Sequence, residues 1–331
     1  MLRAQTVARH VTQTSSDEAM SAEASAPHTP INVFLLAGQS NMAGADAEFT
    51  GPLRATEADH ATAIATAALF HGSGFGDRGY EGWGAVRGHK LPATPEYPRF
   101  VPGADMQLGP EVGFARALHA AGWRDVALIK VFGNFAADCT ITAGAGQWPW
   151  SQGGEIYEGW MRFVDARLQE LSVDTDHVRI RGVVWFQGID DALAGPAFAD
   201  RYETNLRRMV SVLRTRFSCP AAPFVLARSV NSGIALRQEG GEGKDGSMAV
   251  VRRAQVAVAN ALGSGEGARG RDNESESVTP WVDVDDLPNV NTHHFPVGAQ
   301  LEIGRRLGVV MMRQLEGASL CHRAELPVEL L

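Results

Sequence analysis

Three short segments hold the side chains most able to do chemistry together. They are Gly38-Gln39-Ser40-Asn41-Met42, Trp185-Phe186-Gln187-Gly188-Ile189-Asp190-Asp191 and Asn291-Thr292-His293-His294-Phe295. A serine hydroxyl becomes a nucleophile when a neighbouring base takes its proton, and histidine is the commonest such base. Ser40 and His294 therefore suit acyl transfer, with the Gln187 amide able to point at a substrate carbonyl oxygen and Gly188 letting the backbone come close. Each residue also has a plainer reading. Ser40 and Asn41 can simply cap a helix, a histidine near a helix start can bond backbone, and Gln187 with two aspartates can cap the next turn. His293 rivals His294 on chemistry alone. The serine segment is not the Gly-x-Ser-x-Gly nucleophile elbow, because residue 42 is methionine.

These residues need a frame that brings both ends of the chain to one rim. Apolar runs at 32–37, 126–132, 180–186, 223–228 and 278–284 are short, β-branched or aromatic, and bounded by turn residues, which predicts five strands. Between them lie stripes of helical period: Val112, Ala115 and Leu118; Ile156, Trp160, Phe163, Val164 and Leu171; Tyr202, Leu206, Met209, Leu213 and Phe217. A last helix from about Pro296 to Leu315 begins with proline in its first turn. Alternating strands and helices predict a mainly parallel sheet covered on both faces, with ligands bound at the carboxyl ends of the strands. Residues 45–108 are rich in Gly, Pro and His and read as a long loop excursion over the sheet; 236–247 and 263–277 read as solvated loops. The division expected is a flexible tail over 1–30, one α/β domain over 31–318 and a C-terminal tail over 319–331.

Composition narrows the class. The 331-residue chain is 44% hydrophobic with a formal net charge of −8 and no basic run, which argues against nucleic acid or an anionic membrane as partner. Its three cysteines, Cys139, Cys219 and Cys321, are widely spaced and indicate neither a disulfide framework nor a Cys-x-x-Cys metal site. No signal-peptide core and no run near 20 apolar residues is seen, so a cytoplasmic location is the default expectation. No metal-binding motif is indicated. Gly74-Phe75-Gly76-Asp77-Arg78-Gly79 matches the dinucleotide fingerprint in letters only, since it lies outside the first strand-turn-helix unit and opens no helix. Trp83, Trp148 and Trp150 have faces that can stack on a sugar ring or pack into the core.

Taken in order, Gly38-Gln39-Ser40-Asn41-Met42, Trp185-x-Gln187-Gly188 with Asp191-Ala192, and Asp286-Leu287-Pro288 leading to His294-Phe295 resemble one branch of the SGNH hydrolases. That branch is the sialate O-acetylesterase-like and acetylxylan-esterase-like group, carbohydrate esterase family six. Gly109-Pro110-Glu111 with Gly113-Phe114-Ala115, and Arg253-Ala254-Gln255, add to the likeness, which spans about residues 32–316. The resemblance implies a flavodoxin-like three-layer α/β/α sandwich. It implies Ser40 as nucleophile and oxyanion donor, Gln187 as side-chain donor and His294 as base. Gln39, Gly188, Gly133 and Asn134 fall in its oxyanion and substrate-binding group. It further implies no cofactor, and an acetylated carbohydrate or other small ester as partner.

Three positions depart from the family pattern. Asn291 stands where an aspartate three residues before the histidine is expected, Ile189 stands where a glutamate follows Gln-Gly, and Gly133-Asn134-Phe135 replaces a Gly-Gly-Thr-like turn. Asparagine can fix a histidine tautomer but supplies no charge to stabilise the imidazolium, and the equivalent change in a trypsin-like triad costs about four orders of magnitude in turnover. Asp190 and Asp286 are the nearby carboxylates that can take over. The alternative is an impaired SGNH-fold protein that binds carbohydrate or serves as a scaffold.

Overall fold

The computed structural model describes residues 30–44, 47–49, 56–68, 83–85, 106–133, 148–172, 178–229, 246–262, 279–290 and 293–324. In chain order the strands are β1 (Ile31–Gly38), β2 (Glu48–Phe49), β3 (Thr62–Ala68), β4 (Gly84–Ala85), β5 (Met106–Gln107), β6 (Val126–Phe132), β7 (Val178–Phe186), β8 (Phe224–Ala227) and β9 (Trp281–Val282). The helices are α1 (Ser40–Ala43), α2 (Glu57–Ala61), α3 (Glu111–Ala120), α4 (Glu155–Ser172), α5 (Ile189–Leu193), α6 (Pro196–Arg216), α7 (Ser247–Leu262) and α8 (Val297–Ala324).

Strand β1 lies at the centre of a seven-stranded sheet of order β4-β3-β6-β1-β7-β8-β9, parallel except for β4. Its run Val33-Phe34-Leu35-Leu36-Ala37 is fully buried, as a strand covered on both faces requires. Side-chain alternation assigns the two layers. Phe34 meets Phe114 of α3 edge-on, whereas Trp185 of β7 packs against Trp160 of α4 and gives its indole N–H to Tyr202 Oη of α6. Helices α3 and α8 therefore cover one face, and α4 and α6, with α7 against α6, cover the other. Their apolar stripes fit: Tyr202, Leu206, Met209, Val210 and Leu213 on α6 are buried, as are Ile303, Leu307, Met311 and Leu315 on α8.

The predicted three-layer architecture and all five predicted strands are present, with two more strands at one edge. Both come from 45–108, expected to be one loop excursion. Strand β3 pairs with β6 in parallel along its whole length, and β4 closes that edge antiparallel. Its sequence, Thr-Ala-Ile-Ala-Thr-Ala-Ala, has weak intrinsic strand preference. The exposed ladder of β6 supplies the hydrogen bonds that recruit it. Among the described residues no helix is long and apolar enough to cross a membrane.

Candidate active site

Ser40 follows the carboxyl end of β1 directly and opens α1. It is 7% exposed, and the cap position belongs to Gln39, with no side-chain cap bond. The hydroxyl is thus not engaged in capping, which removes the plain reading of this serine. The first helical bond of α1 runs from Ala43 N–H to Gln39 O. The N–H groups of Ser40, Asn41 and Met42 precede it and gain nothing from the helix ladder, as at any helix start.

Gln39 does something the sequence did not suggest. Its Oε1 accepts the N–H groups of Gly188 at 3.0 Å, Ile189 at 3.1 Å and Asp190 at 3.4 Å, and its Nε2 donates to Asp190 Oδ1 at 3.0 Å. Gln39 therefore caps α5 from across the sheet. Its own N–H goes to Phe186 O at 3.1 Å. Placed in the substrate-binding group by resemblance, Gln39 instead fixes the serine loop to the Gln187 loop. Gly133 is likewise committed: its N–H continues the ladder to Gly38 O at 2.9 Å, so it is no oxyanion donor. Asn134 and Asn291 lie outside the described residues.

The histidine segment is tied to the serine segment by neighbours of both residues. Asn41 Nδ2 donates to His293 O at 2.9 Å, and Gln300 Nε2 of α8 donates to Asn41 O at 3.2 Å. Val290 N–H closes the histidine loop on His294 O at 2.9 Å, and Phe295 is fully buried 6.3 Å from the Phe186 ring. His294 is half-buried, its ring 4.1 Å from that of His293. Upstream, Asp286 is exposed and gives both oxygens to Arg306 at 2.7 and 2.6 Å. The guanidinium holds its carboxyl below the usual range. Asp286 therefore anchors the loop to α8. Asp190, held by Gln39, is the expected carboxylate on the serine side.

Gln187 continues the alternation of β7 and faces the α6 and α7 layer. Its carbonyl accepts Tyr202 Oη–H and Gln255 Nε2–H, both at 2.8 Å. Gly188, at φ 146°, is a position only glycine fills comfortably, and a Cβ there would meet Gln255 Nε2 at 2.6 Å and Ser229 Oγ at 2.9 Å. The close approach at Gly188 is thus to Gln255 and Ser229 rather than to a substrate. The Gln187 amide donates to Asp191 Oδ2 at 2.5 Å, and Trp148 Nε1 donates to Asp191 Oδ1 at 3.0 Å. Asp191 is 1% exposed, and burial pushes its carboxyl up to about 7 against the opposing pull of these two hydrogen bonds.

Trp148 and Trp150 belong to the core, with rings edge-on to Tyr202 and Trp185, so neither offers a face to a sugar. Trp83 gives its indole N–H to Glu170 at 2.9 Å. Asp191 carried a signal in Asp191-Ala192 beside Gln187-Gly188, but its contact with the Gln187 amide needs the fold. Gln255 carried a signal in Arg253-Ala254-Gln255, but its role needs the fold. A second buried group lies under α1: Lys130 donates to Glu111 Oε2 at 2.6 Å, both wholly buried, where Gly109 passes the Met42 carbonyl.

A family model described as carbohydrate esterase, sialic acid-specific acetylesterase, matches residues 89–313, more than half of the chain. The chain belongs to that family. Among solved structures, a protein from Arabidopsis thaliana aligns over 86% of this chain and 99% of its own, with TM-score 0.54 and 21% identity. A carbohydrate acetylesterase from Xanthomonas citri aligns with TM-score 0.53 and 17% identity, over 86% of this chain and 56% of that longer one. NanS aligns with TM-score 0.52 and 15% identity, over 90% and 100%. At such identities these likenesses establish the shared fold. A comparison with curated proteins finds no match. Membership of this carbohydrate esterase family makes ester hydrolysis the chemistry against which the rim is to be read.

Proposed function

We propose that this member of the family is a serine esterase that removes acetyl or similarly small acyl groups from carbohydrate esters. Ser40 Oγ attacks the acyl carbonyl while His294 takes its proton. The tetrahedral oxyanion is met by the Ser40 N–H and the Gln187 side-chain amide. Collapse breaks the ester bond, His294 returns the proton to the leaving sugar hydroxyl, and water hydrolyses the acyl-enzyme by the same route. The observation that carries this reading is the Asn41 Nδ2 to His293 O hydrogen bond at 2.9 Å, which links the residue after Ser40 to the residue before His294.

Orientation of His294 falls to Asn291, with Asp190 as the nearby carboxylate, since Asp286 is held by Arg306. Hydrolysis of p-nitrophenyl acetate tests the reading against Ser40→Ala and His294→Ala. Loss of the base is expected to lower kcat/KM by about 10²- to 10⁴-fold. A wild-type rate no greater than that of Ser40→Ala sinks the esterase reading. It would leave a carbohydrate-binding role, which Asn291 in place of the acid would favour.

A further inference from the structure

The contact between Gln187 and Asp191 poses a hydrogen-bonding problem. With the amide nitrogen toward Asp191, Gln187 Oε1 is buried with no hydrogen-bond partner among the described residues. The Asp191 carboxylate meanwhile meets two neutral donors, Gln187 and Trp148, and no cation among the described residues. A buried ionised carboxylate without a counter-charge and a buried carbonyl without a donor are each unfavourable. One exchange removes the uncompensated charge and gives the carbonyl a donor, leaving the amide N–H pair as the group still to be matched. A half-turn of the amide brings its oxygen to Asp191 Oδ2, and a proton on that carboxyl bridges the two oxygens. The 2.5 Å separation is too short for an ordinary N–H···O bond and lies at the short end of the O–H···O range.

We propose that Asp191 acts as a neutral carboxylic acid that donates its O–H to Gln187 Oε1, holding the amide so that its N–H pair faces away from Asp191. Trp148 still donates to Oδ1, so every polar atom of Asp191 is matched. The N–H pair then occupies the buried position where Oε1 had no partner, and is the donor that the esterase reading assigns to the oxyanion. Asp191 is in this sense a positioning residue, acting through Gln187. The charged and titratable groups around it fit a neutral acid. On its own helix Asp190 is tied to Gln39, from α6 Tyr202 presents a hydroxyl already donated to Gln187 O, and from α7 Arg252 is engaged by Ser229 O and Asp285. The Trp148 segment presents an indole. When the carboxyl ionises, near pH 7, the amide must turn its nitrogen back to the charge, and the donor at the rim is lost.

Asp191→Asn separates the neutral acid from the carboxylate, because an asparagine amide can donate to Gln187 Oε1 and accept from Trp148 in the same geometry. The activity arm rests on the esterase reading. Toward p-nitrophenyl acetate at pH 6, Asp191→Asn is expected to keep kcat within about threefold of wild type, whereas Asp191→Ala, which leaves the amide unheld, loses tenfold or more toward the roughly 10²-fold limit of one lost oxyanion donor. The wild-type rate should decline above about pH 7 and the Asp191→Asn rate should not. A kcat loss beyond about 30-fold in Asp191→Asn at pH 6, or superimposable basic limbs, overturns the proposal. The second arm needs no turnover: the melting temperature of wild type should fall relative to Asp191→Asn as pH rises from 5 to 9. A constant difference, or an asparagine variant that does not fold, counts against the neutral acid. If wild type fails to exceed Ser40→Ala at any pH, the esterase reading fails and the unfolding arm alone decides the protonation of Asp191.

Discussion

Replacing Lys130 by methionine measures what the buried pair beneath α1 contributes, because methionine has similar length and no charge. Lys130 Nζ lies 2.6 Å from Glu111 Oε2 and both side chains are wholly buried. Two unit charges at that separation attract by roughly 6 kcal/mol at an effective dielectric near 20, while desolvation opposes with several kcal/mol per ion. Burial outweighs the attraction of Glu111 in setting the Lys130 pKa, which is lowered, so desolvation offsets much of what the pair gains. Removing one partner is different. Glu111 keeps the Gly109 N–H at 3.3 Å but loses its cation, and takes up a proton rather than remain charged. Holding a carboxyl of ordinary pKa near 4.3 neutral at pH 7 costs about 1.36 × (7 − 4.3), roughly 4 kcal/mol, which bounds the loss. In the variant the folded pKa of Glu111 lies above the unfolded value, so this cost shrinks as pH falls, to about 1 kcal/mol at pH 5. Urea unfolding followed by tryptophan fluorescence at both pH values reads it directly, and the melting temperature should drop by roughly 7 °C at pH 7. A Glu111→Leu/Lys130→Met double variant should return to within about 1.5 kcal/mol of wild type. A single variant within about 1 kcal/mol of wild type at pH 7, or a loss equal at both pH values, refutes the reasoning.

Three further outcomes are expected. Asp191 has a folded pKa of about 7 against an ordinary 3.8, so the folded state binds more protons over that interval and stability falls as pH rises through it. The span is about 1.36 × (7 − 3.8), roughly 4 kcal/mol, and urea titrations should show it in wild type and not in Asp191→Asn. Gln39→Ala uncaps α5 and should destabilise by about 1–2 kcal/mol, with kcat falling more than KM rises, because Ser40 and Gln187 lose their shared tie. Unchanged kcat would show that the two loops are held independently. Asp286→Ala should change kcat/KM less than about threefold and cost under about 1 kcal/mol, since Asp286 itself is exposed in its pair with Arg306. A loss of 10²-fold or more would instead make Asp286 the residue that orients His294.

The layers were legible because the apolar runs of β1, β6 and β7 and the stripes of α3, α4, α6 and α8 each bury where their period predicts. Strand β3 was not. Its small residues match no strand pattern, and what makes them a strand is the unpaired edge of β6 at Val126 to Phe132. The same division holds at the rim. The proposed roles of Ser40, Gln187 and His294 are suggested by residue type beside a strand end or helix start. Gln39 and Gly133 did not, because backbone groups 150 and 95 residues away decide what their donors and acceptors meet. Asp191 was set apart from Asp190 by the Asp191-Ala192 pair, but its role emerged when helix geometry turned it inward to Trp148 and left Asp190 at Gln39.

The same contrast runs through Gly38-Gln39-Ser40-Asn41. Gly38 gives its carbonyl to the Gly133 N–H beyond β6, and a Cβ on it would lie 2.2 Å from Phe186 O of β7. Gln39 holds the start of α5, and Asn41 holds the His293 carbonyl while α8 holds Asn41 through Gln300. Ser40 is the one member with no such engagement by its side chain among the described residues, and it stands where the other three converge. Its carbonyl accepts the Gly44 N–H in α1, but its hydroxyl is positioned by neighbours that each fix a different element and takes no part in the holding. That suits the nucleophile's role proposed for Ser40, because a hydroxyl committed to structure would have to break that hydrogen bond before it could attack.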